Sequence, residues 1–118
     1  MAANKQVVEA ALVSTIQILG KQTSYNYATL VVDTIVRKLE PENPPLAFIH
    51  ISTGGDRNAV SVDDGINALT PPEVGAALNR FLERITNISN DYPYMQELWF
   101  YLNPYEAKLK EMNIVLKR

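Results

Sequence analysis

The chain has 118 residues, 47% of them hydrophobic and 20% charged, which is a globular mixture long enough to bury a core as one domain. Its 11 basic and 13 acidic residues leave a formal charge of -2, so no basic excess exists to neutralise a phosphate backbone, and nucleic acid is not an expected partner. It contains no cysteine, which excludes disulfides, thiolate metal sites and thiol nucleophiles and fits a reducing compartment.

The opening segment, MAANKQVVEAALVSTIQILG, has no uninterrupted apolar run long enough for a signal sequence or a membrane span. The expected location is cytoplasmic, away from membranes. Asn4 is placed to cap a first helix, and Val7, Val8, Ala11, Leu12, Ile16 and Leu19 recur at helical spacing as one apolar stripe. Gly20 is the expected stop. A second helix is expected over SYNYATLVVDTIVRKLE, with Tyr27, Leu30, Val31, Ile35, Val36 and Leu39 facing inward. Arg37 and Lys38 fall in its last turn, against the negative end of the helix dipole. PENPP then ends it, because prolines remove amide donors and clash with a continuing helix. The two helices should form a hairpin.

LAFIHIS reads as a strand, with Leu46, Phe48 and His50 on one face and Ala47, Ile49 and Ile51 on the other. Two largely apolar faces suit a central strand. NAVSV is expected to pair with it as a hairpin, Val60 and Val62 to one side and Ala59 and Ser61 to the other. Between them, Ser52, Thr53, Gly54, Gly55, Asp56 and Arg57 form the candidate ligand-binding loop. Successive amides around the two glycines could cradle an anion, with the hydroxyls and Arg57 adding donors and a charge. The alternative is a plain turn, in which the glycines supply positive φ and Asp56 and Asn58 bond locally.

No Walker or dinucleotide fingerprint accompanies the loop. Asp56 and Asn58 match the first EF-hand ligands, but Val60, Ser61 and Asn67 stand where an oxygen, a glycine and a glutamate are needed. A looser magnesium site would use Asp56, Asp63 and Asp64. Neither a metal nor a cofactor is the expectation. Gly54-Gly55-Asp56 on a hairpin resembles the signature turn of diguanylate cyclases, in which Glu-Phe follows. Here Arg57-Asn58 follow, the resemblance spans three residues, and it does not imply that family's activity for this chain.

TPPEVGAALNRFLERITNIS carries the strongest helix signals: Thr70 as N-cap, Pro71 in first position and Glu73 completing a capping box. Val74, Leu78, Phe81, Leu82, Ile85 and Ile88 should face the core, with Arg80, Glu83 and Arg84 in water. DYPYMQELWFYLNP is expected as a helix despite the strand propensity of LWFYL. Met95, Leu98, Trp99 and Leu102 would face inward, leaving Tyr94, Phe100 and Tyr101 on the other sides. Asn103-Pro104, with Glu106 following, should cap another short helix, and NIVLK should finish as a strand added to the hairpin. Residues 1–118 therefore read as one α+β domain: an N-terminal helical hairpin and further helices packed on one face of a small antiparallel sheet.

Catalytic chemistry would have to be built from few groups. His50 is the single histidine and would be the base of any Ser-His-Asp arrangement, yet no Gly-x-Ser-x-Gly elbow supplies a nucleophile. Asp33 with Glu40, or Asp63 with Asp64, are the conceivable acid–base pairs. The aromatics are more informative. Tyr92, Tyr94, Trp99, Phe100, Tyr101 and Tyr105 are six of the chain's ten, and only Glu97 is charged among them, a composition that suits an interface. No Lys or Arg is interleaved to support base stacking. The expected function is a small non-catalytic regulatory or adaptor domain, acting through protein–protein contacts or self-association as a homodimer, with Tyr94, Phe100, Tyr101 and Tyr105 in the interface. The alternative is a small-ligand or phosphate/nucleotide-binding domain using the Gly54-Gly55 loop.

Overall fold

Helix α1 (Asn4–Gln22) sits at the centre of the packing. The computed structural model describes residues 3–53, 59–88 and 94–114, and within them α1 touches α2 (Tyr25–Leu39), α3 (Pro71–Ile88), α4 (Tyr94–Leu102), α5 (Glu106–Glu111) and strand β2 (Val60–Val62). The chain is mostly helical. The sheet among the described residues is one antiparallel pair, β1 (Ile49–Ile51) with β2, in which Ile49 faces Val62, His50 faces Ser61 and Ile51 faces Val60. Helices do pack against this pair, but it is too small for the α+β description to hold more than loosely.

Burial on α1 is wider than the single stripe expected. Besides Val7, Val8, Ala11, Leu12 and Ile16, it takes in Ser14, Thr15 and Ile18. The run from Ala10 to Gly20 carries no charge, so nothing prevents neighbours from covering it on several sides. Thr15 satisfies its hydroxyl by donating to the Ala11 carbonyl at 2.7 Å. Gly20 does not stop the helix, which continues to Gln22; Thr23 ends it, with both its amide and its hydroxyl donating to the Leu19 carbonyl.

Asn4 is not the cap. Ala3 precedes the helix and its amide donates to Gln6 Oε1 at 2.8 Å. Asn4 instead turns inward and donates to the carbonyls of Ile66 at 3.1 Å and Leu69 at 2.9 Å. Lys5 adds its amide to Asn67 Oδ1 at 2.9 Å. The start of α1 is thereby fastened to the 3-10 turn Asp64–Ala68.

Ser24 caps α2 by accepting from the Tyr27 amide at 3.1 Å. The buried face is Ala28, Thr29, Val32, Ile35 and Val36, whereas Tyr27 and Leu30 are more than half exposed. The expected stripe is thus rotated. Ala28 and Val32 let α1 approach more closely than Tyr27 and Leu30 would.

The expected seven-residue strand is shortened to three. Pro44–Phe48 form a 3-10 turn, closed by the Leu46 amide on the Asn43 carbonyl at 2.9 Å. Proline cannot donate to a ladder, so pairing begins only at Ile49. Among the described residues β1 has one neighbour, so it is not the central strand expected there, and His50 on its outer face is exposed. Arg37 satisfies carbonyls at this junction: Nη2 donates to Ile49 O and, at 3.3 Å, to Leu46 O. Asp33 at 3.8 Å and Glu40 at 2.6 Å hold the guanidinium from either side.

Helix α3 starts as expected, Thr70 Oγ1 accepting from the Glu73 amide at 3.3 Å. Its core face is Val74, Gly75, Ala77, Leu78, Phe81, Leu82 and Ile85, but Ile88 is exposed. The expected C-terminal strand is corrected as far as Ile114, since residues 115–118 lie outside the described residues. Asn113 adopts a left-handed φ of 60°, its amide donates to Lys110 O at 3.1 Å, and the Ile114 amide donates to Leu109 O at 2.9 Å. This is a Schellman ending to α5, with Leu109 and Ile114 both buried.

That ending is seated on Gly75, where an added Cβ would lie 1.7 Å from the Met112 carbonyl oxygen. In an exposed helix, Gly→Ala is stabilising by about 1 kcal/mol. Here Gly75→Ala should instead destabilise by about 1–3 kcal/mol, from backbone overlap. Urea unfolding distinguishes the two signs, and a raised midpoint would refute the close seating of α5 on α3.

Candidate functional site

Helix α4 is the element expected to carry an interface. It is a helix, and its period divides the aromatics. Tyr94, Leu98 and Leu102 recur every fourth residue and are buried. Trp99 is half-buried, and the side chain of Met95 lies outside the described residues, as does Tyr92. Phe100 is 74% exposed and Tyr101 39%. Tyr105, in the 3-10 turn Asn103–Tyr105, is half-buried and packs against the core. Asn103 links the two elements by donating to the Phe100 carbonyl at 3.2 Å.

Tyr94 is therefore corrected: it belongs to the core and not to a surface. Its hydroxyl lies 2.6 Å from Thr15 Oγ1. Since the Thr15 proton is engaged with Ala11 O, Tyr94 is the donor in this pair. The sequence signal was available, because Tyr94 stands four residues before Leu98 on the same helical face.

The exposed rings continue into neighbouring elements. Tyr101 borders a shallow hollow of about 390 Å³ shared with Gln17, Gly20, Lys21 and Tyr25, at the turn between α1 and α2. Glu97, one turn before Tyr101, accepts from Lys21 Nζ at 3.2 Å. The exposed Tyr27 and Leu30 follow along α2. Sequence reasoning missed Tyr27 and Leu30 as surface groups, because their spacing on α2 also fits a core stripe.

The second candidate, the loop, is only partly visible. Ser52 and Thr53 are exposed at the end of β1; Gly54, Gly55, Asp56 and Arg57 lie outside the described residues. The Ser52 amide donates to Ala59 O at 2.8 Å, which carries the hairpin beyond its ladder.

The acids expected to act together are separated. Asp63 Oδ2 lies 2.9 Å from His50 Nε2, and both side chains are more than half exposed. Asp64 faces the other way, to Lys5 Nζ at 2.7 Å. That bond holds the Asp64 carboxyl below its ordinary range and Lys5 above its own. Asp63 and Asp64 thus have different partners, and neither the acid–base pair nor the magnesium grouping is assembled by them. Asp33 and Glu40 converge, but on Arg37, as a clamp. Among the described residues, no three His, Asp or Glu side chains gather as a metal site. Nor is any described helix long and apolar enough to cross a membrane.

Comparison with protein-family models, with curated proteins and with solved structures finds no match to this chain.

Burial pushes the Tyr94 hydroxyl well above the ordinary tyrosine value. The folded chain keeps this proton at a pH where the unfolded chain releases it, so stability is full below the unfolded pKa of about 10 and falls as pH rises beyond it. Relative to Tyr94→Phe, the wild-type chain should lose about 1.4 kcal/mol more per pH unit above that point. At neutral pH the variant should be less stable by about 1 kcal/mol, because a buried acceptor loses its donor. Urea midpoints across the alkaline range test this, and parallel curves would contradict the buried hydroxyl.

Proposed function

We propose that the chain acts through protein contacts, as a non-catalytic regulatory or adaptor domain that self-associates as a homodimer. The observation that carries this reading is Phe100: a large ring 74% exposed on a short helix whose inner side is already filled by Tyr94, Leu98 and Leu102. A side chain of this kind contributes at an interface core, where aromatic anchors dominate binding. Tyr101 and Tyr105 flank it, and the one acid of α4, Glu97, is engaged by Lys21.

Area sets the extent of the contact. Two rings bury about 150–250 Å² each. A stable interface covers roughly 800 Å² per partner. Phe100 and Tyr101 therefore need the neighbouring surface, and Tyr27 and Leu30 of α2 offer further apolar area beyond the Tyr25–Tyr101 hollow. Burial of this patch, at about 25 cal/mol per Å², would oppose the entropy lost on association.

Light scattering tests the reading. The wild-type chain should show twice the monomer mass, and Phe100→Asp or Tyr101→Asp should give the monomer mass with helical circular dichroism unchanged. A wild-type monomer at high concentration, or variants that remain dimeric, would remove this surface from the function.

A further inference from the structure

Six ion pairs of Lys or Arg with Asp or Glu connect described residues, and they engage most of the described lysines and arginines. Three cations stand outside them among the described residues: Lys38, Arg80 and Arg84. The last two line one cleft of about 560 Å³, between the second half of α3 and the end of α2 with the 3-10 turn Glu40–Glu42. Two carboxylates, Glu42 and Glu83, line the same cleft, yet neither pairs with a guanidinium. Leu39 and Asn43 complete that side, and Asn43 is fixed there by donating to the Leu39 carbonyl at 2.8 Å.

Arg80 and Arg84 stand one helical turn apart, and like charges at that spacing weaken a helix. The cleft volume is that of a small-molecule site. Its charge content narrows the ligand. Two guanidiniums favour an oxyanion, by charge-assisted and bidentate bonding. Two carboxylates in the same cleft disfavour a polyanion and favour a cationic group beside that oxyanion.

We infer that this cleft binds a small zwitterion, its oxyanion between Arg80 and Arg84 and its ammonium towards Glu42 and Glu83. The site is separate from the α4 rings and stands or falls independently of self-association.

Two probes share this chemistry: O-phosphoethanolamine, with a phosphate, and γ-aminobutyrate, with a carboxylate. Inorganic phosphate and ethanolamine supply the two halves alone. Titrated into the 15N-labelled full chain, at least one zwitterion should shift amides of residues 39–43 and 80–87 saturably, and which of the two does so identifies the oxyanion. Arg80→Gln and Arg84→Gln should each weaken that binding about tenfold. Glu42→Gln should weaken the zwitterion but not inorganic phosphate. All three side chains are exposed, so the variants should keep the wild-type spectrum elsewhere. The inference is overturned if neither zwitterion gives a saturable shift at millimolar concentration. It is equally overturned if the arginine variants bind unchanged, or if inorganic phosphate binds as tightly as the zwitterion.

Discussion

The structure depends on the enclosure of α1. A helix surrounded on several sides cannot carry charge along its middle, and α1 carries none between Ala10 and Gly20. Every other helix then acquires its orientation from the side of α1 it covers. Removing apolar surface from water supplies the driving force. Of the polar groups that this enclosure buries, the Thr15 hydroxyl bonds to its own helix and to Tyr94, and the Asn4 amide nitrogen donates to the carbonyls of Ile66 and Leu69.

Around this centre, a few polar or close contacts decide where irregular segments lie. Arg37 joins the end of α2 to the carbonyls before and within β1, and Asp33 and Glu40 prevent it from turning to solvent. Gly75 lets the Met112 carbonyl approach α3, and Asn79 then donates to the Asn113 carbonyl at 3.1 Å. Each device replaces ladder or helix bonding where the chain changes direction, which buried backbone groups require. The charges of α5 are handled on the helix itself, Lys108 with Glu111 and Lys110 with Glu106.

The surface that remains has two distinct characters. Near the turn between α1 and α2, Tyr25 and Tyr101 line one hollow, and Phe100 is largely exposed. At the other end of α2, the surface is charged and concave. One small domain can present both, because α2 and α3 each use only their inner face for the core.

Local signals in the chain were sufficient for the order of the α-helices, though not for both ends of α1. Capping residues, prolines and apolar spacing act within a turn or two, so Thr70 and the PENPP break could be read without knowing the fold. The hairpin was legible for the same reason, though its first half was not: Pro44 and Pro45 favour a 3-10 turn, and the apolar residues after them mask it. Facing was another matter. Tyr27 with Leu30, and Ala28 with Val32, are both apolar pairs at helical spacing, and only the neighbour that α2 meets selects between them. The same holds for Tyr94, whose core role depends on Thr15, far away in the chain, and for Asp63 and Asp64, adjacent in sequence but drawn to His50 and Lys5. Periodicity states which residues share a side. Which side is covered, and which charges find partners, follows from contacts between distant segments, and those exist only once the chain has folded.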